Sequence, residues 1–324
     1  MDNNEVVLSV EHLLKDYGYG RGVFDVSIQV HKGECYGYLG PNGAGKSTTI
    51  RHIMGFSKPT KGSIKLFGIE TFGHTHELLK RVGYLPGEPA IPQGLDGMGF
   101  LRMMQDMRGE RNDERMNYLL DLFKLDPNMN VKQMSLGEKR KLAVVAAFMN
   151  DPDILILDEP TSGLDPVMQQ VFIHFIIEEK KRGKTILLSS HIFSEVDATC
   201  DTISIIKDGK HVSTFKTSDL KNNQVATYIV KFNDLEHLKK FVEENKKYEI
   251  INVNENRKLA TVKINKKDYK NFFDTLSKYL IREFEEKPFT LQDYFMSFYK
   301  EEKEFGGLSG VEGNSKWVKK QLIN

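Results

Sequence analysis

The chain has 324 residues, more than the roughly 100–200 typical of one domain, so we expect two domains. Its 46 Lys and Arg and its 45 Asp and Glu nearly cancel, which gives no electrostatic reason to expect nucleic acid as a partner. No apolar run approaches the roughly 18–20 residues that span a bilayer, and the first residues lack the pattern of a signal peptide. The sequence therefore predicts a soluble protein that would meet a membrane only through a partner.

Two cysteines are too few for a disulfide framework. Cys35 and Cys200 each lie among strand-like residues, so we predict buried thiols and keep a redox pair as the minor alternative.

Up to about residue 215, short apolar runs alternate with helical patterns, which indicates an α/β domain with a largely parallel sheet over residues 1–217. The clearest strands are predicted at 35–39, 154–157 and 185–188, with a hairpin at 203–206 and 211–215. A helical subdomain is predicted at about 89–150. It contains a methionine stripe that is more typical of core or docking surface than of a cofactor site. The stripe consists of Met98, Met103, Met104 and Met107.

Beyond residue 217 the composition becomes Lys-rich and the pattern changes. Strands are predicted at 226–232, 249–254, 259–264 and 281–286, and helices at 234–245 and 267–280. This β-α-β-β-α-β order suggests a small ferredoxin-like α+β domain at 218–301. A closing helix is predicted at 291–300. Residues 302–324, which are rich in glycine, are predicted to form a flexible tail.

The most specific motif is the segment at 40–48, Gly-Pro-Asn-Gly-Ala-Gly-Lys-Ser-Thr, which fits G-x-x-x-x-G-K-[ST] and follows a predicted strand. Such a loop wraps a phosphate with successive backbone N–H groups and a helix N-terminus. Lys46 is expected to bring a positive charge to the β- and γ-phosphates, and the Ser47 hydroxyl is expected to bind Mg²⁺. The predicted nucleotide contacts are Asn42, Gly43, Ala44, Gly45, Lys46, Ser47 and Thr48.

Two carboxylates, Asp158 and Glu159, end the apolar run that begins at residue 154. At the carboxyl edge of a parallel sheet, such side chains face the ligand crevice. We expect Asp158 to be a partner of Mg²⁺ and Glu159 to be the general base that polarises the attacking water. The two motifs together predict a P-loop nucleoside triphosphatase.

The segment at 134–138, Met-Ser-Leu-Gly-Glu, resembles the LSGGQ signature of the ABC ATPases in sequence and in position. Ser135 and Gly137 match the signature, whereas the other three residues, including Glu138, differ from it. In that family a second subunit presents this segment to the γ-phosphate, so the resemblance implies nucleotide contacts for Ser135, Gly137 and Glu138. A hydroxyl, a backbone N–H and a helix N-terminus all favour negative charge.

Further residues fall where the ABC family has functional positions. Asp165 ends a segment that resembles the D-loop, which implies a place at the dimer interface. His191 resembles the switch histidine that contacts the γ-phosphate. Tyr17 precedes the phosphate loop by the family's interval and is implied to stack on adenine. Tyr19 is the less favoured candidate, and Val23 is expected to line the same face.

One position departs from the family's pattern. Where the family has a glutamine that senses Mg²⁺ and couples to the transporter, this chain has Gly87 followed by Glu88. Either Glu88 takes over the metal contact by a shift of one place, or the contact is missing; we favour Glu88.

The resemblance covers about residues 5–301 and is closest to the single-cassette subunits of bacterial ABC-2-type exporters. It implies a Mg²⁺-dependent ATPase at the cytoplasmic face of a membrane. Its partners would be a second ATPase subunit, identical or related, and integral membrane transporter subunits, with residues 86–106 passing on the motion. Two alternatives stay open: a non-transport ABC ATPase, and a regulatory module that binds ATP without turnover. Against the first, the spacing leaves no room for an inserted coiled coil, and there is one set of motifs.

Overall fold

The computed structural model of the chain describes residues 5–221, 225–287 and 290–300, and the predicted tail at 302–324 lies outside them. None of the helices in the described ranges is long and apolar enough to cross a membrane. Contacts divide the chain into two compact units, Met1–Thr217 and Ser218–Asn324. Each unit has a hydrophobic core of its own.

The first unit consists of two sheets and the helices around them. Its strands are β1 (Val6–Asp16), β2 (Gly22–His31), β3 (Cys35–Leu39), β4 (Lys61–Leu66), β5 (Ile69–Glu70), β6 (Val82–Leu85), β7 (Ile154–Asp158), β8 (Thr185–Ser190), β9 (Thr202–Lys207) and β10 (Lys210–Lys216). Its helices are α1 (Lys46–Ile53), α2 (Thr75–Leu79), α3 (Gly97–Arg108), α4 (Asp113–Leu122), α5 (Leu136–Phe148), α6 (Pro166–Lys181) and α7 (Phe193–Thr199). A short helix, α8 (Thr217–Lys221), follows at the boundary of the two units.

Six strands form the sheet that carries the predicted motifs, in the order β10-β9-β3-β8-β7-β6. All neighbouring pairs are parallel except the β9–β10 hairpin. Every residue of β3, β7 and β8 is buried, as expected for central strands covered on both faces. The predicted strands and the hairpin are thus confirmed. Since β3, β7 and β8 are parallel, their carboxyl ends meet at one edge.

The second sheet of this unit was not predicted. Its strands lie in the order β2-β1-β4-β5 and are antiparallel. The register of β1 on β2 shifts between Val10 and Leu13, and His12 there has φ 50°. Such an irregularity breaks the alternation of apolar residues by which a half-buried strand is recognised.

The predicted helical subdomain corresponds to α3, α4 and α5, whose first turns are each capped by a side chain. Asp96 accepts a hydrogen bond from the backbone N of Gly99, and Asn112 accepts one from that of Arg115. The methionine stripe is not a core stripe. Met98, Met103 and Met104 are half-buried and the Met107 side chain is exposed, which favours the docking-surface interpretation.

The two thiols lie side by side in the first unit. Cys35 in β3 and Cys200 at the end of α7 are both buried, with their Sγ atoms 3.7 Å apart. The hydrogen bond to Cys200 and burial raise the pKa of the Cys35 thiol, which keeps it protonated and weakly reactive. The prediction of buried thiols is confirmed.

The second unit contains β11 (Val225–Phe232), α9 (Leu235–Glu244), β12 (Glu249–Asn254), β13 (Leu259–Asn265), α10 (Tyr269–Leu276), β14 (Ile281–Lys287) and α11 (Leu291–Lys300). Its sheet is antiparallel, in the order β12-β13-β11-β14. The β-α-β-β-α-β order agrees with the prediction up to β14, but α10 is shorter than the predicted helix. A 3₁₀ turn capped by the Asn265 side chain replaces its first turn. The ferredoxin-like classification itself stays a prediction.

Candidate functional site

The phosphate loop joins the end of β3 to the start of α1. Gly43 and Gly45 have φ of 82° and 105°, a region that favours glycine. A Cβ atom at Gly45 would lie 2.8 Å from Cγ1 of Val23, so a larger residue would not fit. Val23 is completely buried beside the loop. It therefore supports the loop, and its predicted place at the base stays a prediction.

Lys46 is buried in the first turn of α1, and its ammonium group has three oxygen partners. Nζ donates hydrogen bonds to the carbonyl oxygens of Gly40, at 2.7 Å, and Pro41, at 3.1 Å. It also lies 2.9 Å from Oε1 of Glu159. The ammonium group thus makes two hydrogen bonds to backbone and one ion pair with Glu159. The structure brings the predicted cation and the predicted base into direct contact.

Glu159 lies between Lys46 and His191. Its Oε2 is 2.5 Å from Nδ1 of His191, which follows β8. The backbone of Glu159 has φ 49°, which is uncommon for a residue other than glycine, and its N–H donates to the carbonyl of Ser189. The three residues predicted to be catalytic therefore meet at the carboxyl edge of the six-stranded sheet.

The predicted metal ligands offer hard oxygen donors. Asp158 is buried at the end of β7 and accepts a hydrogen bond of 2.5 Å from Oγ of Ser189, whereas Ser47 is exposed in the first turn of α1. The described ranges contain no group of three or more His, Cys, Asp or Glu that could hold a metal by themselves. One hydroxyl and one carboxylate, completed by phosphate oxygens and water, fit the coordination that Mg²⁺ prefers.

Gly87 occupies the place of the family's glutamine and lies close to Asp158. A Cβ atom at Gly87 would be 3.2 Å from Oδ2 of Asp158, so the backbone of Gly87 lies directly beside this carboxylate. The Glu88 side chain is exposed, and its metal contact stays a prediction.

The segment that resembles the ABC signature begins helix α5. Ser135 and Glu138 form a reciprocal capping box: Glu138 N donates to Oγ of Ser135, and Ser135 N donates to Oε2 of Glu138. The Ser135 hydroxyl also donates to Oε2 of Glu138, and this bond and the one from Ser135 N lower the pKa of Glu138. A Cβ atom at Gly137 would lie 3.1 Å from the carbonyl oxygen of Gly163, whereas the Leu136 side chain is 68% exposed. Contacts of this segment with a nucleotide stay a prediction.

Asp165 and Tyr17 lie at the surface. Asp165 caps α6 by accepting from the backbone N of Val167 and Met168, and these bonds lower its pKa. The Tyr17 ring is half exposed, with the ammonium of Lys15 5.6 Å from its centre. Interface and adenine roles stay predictions for these residues, as for Tyr19, which is fully exposed.

Comparison with known proteins assigns the family. A family model described as "ABC transporter" matches residues 23–162. The Nod factor export ATP-binding protein I of Ralstonia nicotianae is 34% identical over 229 residues, which are 69% of this chain and 71% of that protein. The chain belongs to the ABC transporter ATP-binding proteins.

Two further relatives extend the match. The bacitracin transport ATP-binding protein BcrA of Bacillus licheniformis is 36% identical over 220 residues, 66% of this chain and 71% of that protein. The ABC transporter ATP-binding protein YhcH of Bacillus subtilis is 29% identical over 309 residues, 93% of this chain and 98% of that protein. The second match includes the second unit.

Solved structures agree on the fold. An ATP-binding subunit of an ABC transporter is 31% identical and superposes with a TM-score of 0.62 over 66% of this chain and 92% of that one. A dimeric ATP-binding cassette bound to ADP and Pi has a TM-score of 0.57 at 22% identity, over 65% of this chain and 98% of that one. The predicted P-loop ATPase fold of the ABC family is confirmed.

Arg140 and Glu195 are two of the buried charged residues that were not predicted from the sequence of this ABC ATP-binding protein. Arg140 lies in a run of three basic residues, which is more typical of a solvated surface. The available signal was its spacing, since Arg140 precedes Val144 by one helical turn on the buried side of α5. Glu195 in α7 gave no such signal.

Glu195 is a buried acid that contacts Ser190, the residue before His191. Oγ of Ser190 donates to its Oε2 at 2.5 Å, and the backbone N of Ile192 donates to the same Oγ at 2.9 Å. Burial raises the pKa of Glu195 to about 7, although the hydrogen bond from Ser190 opposes this. Glu195 therefore retains its proton in the folded chain at pH values where an unfolded chain loses it.

The raised pKa makes stability depend on pH. Below the unfolded pKa of 4.5, Glu195 is protonated in both states. From there to about pH 7 the unfolded chain releases this proton while the folded chain keeps it, so the free energy of unfolding decreases, by about 3 kcal/mol. Glu195→Gln lacks this decrease. Urea unfolding at about pH 5 and about pH 8 measures the effect. The free energy of unfolding of the variant should increase relative to that of the parent between these two pH values. The surface change Glu178→Gln is the control, and an equal difference between Glu195→Gln and parent at both pH values would contradict the assignment.

Proposed function

We propose that this chain is the subunit that hydrolyses ATP for a membrane exporter and that it works as a head-to-tail dimer. The observation that carries the proposal is the Glu159 carboxylate, which lies between Lys46 and His191 at the carboxyl edge of the sheet. Hydrolysis needs a general base beside the phosphate loop, whereas ATP binding alone does not. The names of the relatives support export, since one acts in Nod factor export and another in bacitracin transport.

Binding of ATP would rearrange the contacts of Glu159. The phosphates would lie against the loop before α1, where backbone N–H groups favour an anion. Lys46 and His191 would exchange the carboxylate for the γ-phosphate, which carries more negative charge. Glu159 would then be free to accept a proton from the attacking water. Ser47 and Asp158 would hold Mg²⁺, which when bound neutralises charge on the phosphates.

The second half of each site would come from a partner subunit. Ser135 and Gly137 at the start of α5 would face the γ-phosphate bound by the partner, because a helix N-terminus favours negative charge. Tyr17 would stack on adenine and Asp165 would lie at the interface. Loss of the γ-phosphate removes the shared anion, so the two subunits would separate after hydrolysis.

An apolar groove in the first unit fits contact with a membrane subunit. Its volume is about 410 Å³ and its lining includes residues from β6, α2, α3 and α5. Apolar members of this lining include Phe56, Tyr84, Pro86, Met104 and Met107. Methionine side chains adapt readily to a partner. Pro86 adjoins Gly87, which lies beside Asp158, so a movement at the site would reach the groove directly.

The test is the Mg²⁺-dependent rate of ATP hydrolysis as a function of protein concentration. We expect the rate per subunit to rise steeply with concentration and then level off, since each site needs two subunits. A rate per subunit that stays constant down to the lowest measurable concentration would contradict the dimer. ATP binding without hydrolysis at any concentration, even with membranes containing the transporter, would favour a regulatory module.

A further inference from the structure

Arg140 is the largest of the fully buried side chains in the described part of the chain, and its guanidinium group is surrounded by main-chain oxygens. Nε donates to the carbonyl of Ser162 at 2.9 Å, and Nη1 donates to that of Pro86 at 2.6 Å. Nη2 donates to the carbonyls of Gly87, at 2.8 Å, and Glu159, at 2.7 Å. One side chain thus makes four hydrogen bonds, all of them to backbone.

These bonds join three segments that the proposed function places in the catalytic cycle. Arg140 belongs to the second turn of α5, the helix that starts after Ser135. Pro86 and Gly87 form the turn that leads from β6 to the apolar groove. Glu159 and Ser162 belong to the turn between β7 and α6. A displacement of helix α5 or of either turn therefore has to break or move the bonds of Arg140.

The contact at Glu159 holds the backbone that carries its carboxylate. The N–H of Glu159 donates to the carbonyl of Ser189, and its carbonyl accepts from both Arg140 and the backbone N of Ser162. The peptide groups on both sides of its Cα are therefore held, and they hold a left-handed backbone of φ 49°. Such a conformation persists in a non-glycine residue only when its surroundings impose it.

The chemistry of arginine suits this place better than that of lysine. A planar guanidinium offers five N–H donors in a fixed fork, whereas an ammonium offers three donors around one nitrogen. Burial lowers the pKa of Arg140, and the nearby carboxylates of Asp158 and Glu159 oppose this, so the group keeps its charge. That charge adds a positive potential behind the carboxylates without forming an ion pair with Glu159, whose oxygens stay with Lys46 and His191.

We propose that Arg140 is a positioning residue for ATP hydrolysis: it holds the backbone of Glu159 in the orientation of a general base and locks the Gly87 turn and helix α5 to it. The inference rests on the proposed role of Glu159. Arg140 itself touches neither nucleotide nor water in this role. Its effect is on the rate of hydrolysis and on the coupling of the groove to the site, and only weakly on ATP binding.

The experiment compares Arg140→Lys and Arg140→Gln in the full chain with the neighbouring change Lys139→Gln, which removes a charge one residue away. We expect kcat to fall about 100-fold for Arg140→Gln and at least about tenfold for Arg140→Lys, since a base displaced by about 1 Å loses that much. The Kd for ATP should change less than about threefold, and Lys139→Gln should behave like the parent. If Arg140→Lys does not retain the rate of the parent, the hydrogen-bond geometry of the guanidinium group is required and a positive charge alone is not enough.

Several results would overturn this inference. Rates within about threefold of the parent for both Arg140 variants would do so, as would a loss of ATP binding in proportion to the loss of rate. Loss of cooperative thermal unfolding in both variants would also count against it, because Arg140 would then serve stability. Failure of the proposed function looks different: the parent and Glu159→Gln would hydrolyse ATP equally, whatever the Arg140 variants do.

Discussion

Glu159→Gln should lower the Mg²⁺-dependent rate of ATP hydrolysis by about 100- to 10,000-fold, the range expected when a general base is removed. Glutamine has the shape of glutamate but cannot accept the proton of the attacking water. The side chain can still contact His191, so the loop and strand ends around it should remain in place. Steady-state hydrolysis at saturating ATP measures the effect, and Glu178→Gln on the exposed side of α6 is the matched control.

The same variant should bind ATP at least as tightly as the parent. In the structure, the Glu159 carboxylate is the anionic partner of Lys46, 2.9 Å from its Nζ, and so competes with the γ-phosphate. A neutral amide competes less. We therefore expect equal or lower Kd for ATP and a larger dimer fraction with ATP, seen by equilibrium binding and by sedimentation. A variant that hydrolyses ATP like the parent would show that the base lies elsewhere.

Lys46→Ala should weaken ATP binding about 10- to 100-fold, the value of one or two charge-assisted hydrogen bonds. The substitution removes the cation that would meet the β- and γ-phosphates. It also leaves the half-buried carboxylate of Glu159 with His191 alone, so repulsion between this carboxylate and the phosphates is no longer offset. The measurement is the Kd for ATP and for ADP, with the exposed Lys61→Ala as control.

ATP should lose more affinity than ADP, because Lys46 would meet both the β- and the γ-phosphate of ATP but only the β-phosphate of ADP. Retention of ATP affinity within about threefold of the parent would contradict the assignment of Lys46. Together, the two variants separate binding from turnover: Glu159→Gln keeps the nucleotide and loses the rate, whereas Lys46→Ala loses the nucleotide first.

The sequence revealed the centre of the fold because that part obeys simple rules. Residues of β3, β7 and β8 are buried on both faces, so each strand is a continuous apolar run. Parallel strands bring their carboxyl ends together, which is why Lys46, Glu159 and His191, far apart in the chain, were predicted in one site. The residue types and spacing of the phosphate loop then predicted that this site binds a phosphate.

What the sequence did not reveal depends on contacts distant in the chain. The β1–β2 sheet was missed because a register shift near Leu13 breaks its alternation. Arg140 looked like part of a solvated basic run, and its hydrogen-bond partners lie 19 to 54 residues away. The contacts of the Glu159 carboxylate with Lys46 and His191 could not be predicted either, since they depend on distances between strand ends.

The contacts of Lys46 and His191 with Glu159 also affect how much ATP would be hydrolysed by subunits that are not assembled with a partner. Both oxygens of the carboxylate are in contact with these neighbours, at 2.9 Å and 2.5 Å, so neither is open to an attacking water. The pair with Lys46 is largely shielded from solvent, so dissolved ions screen it weakly. A subunit without nucleotide and partner would thus be kept inactive by the contacts of Glu159 with Lys46 and His191. ATP would be hydrolysed only after its γ-phosphate has displaced Glu159 from these two residues.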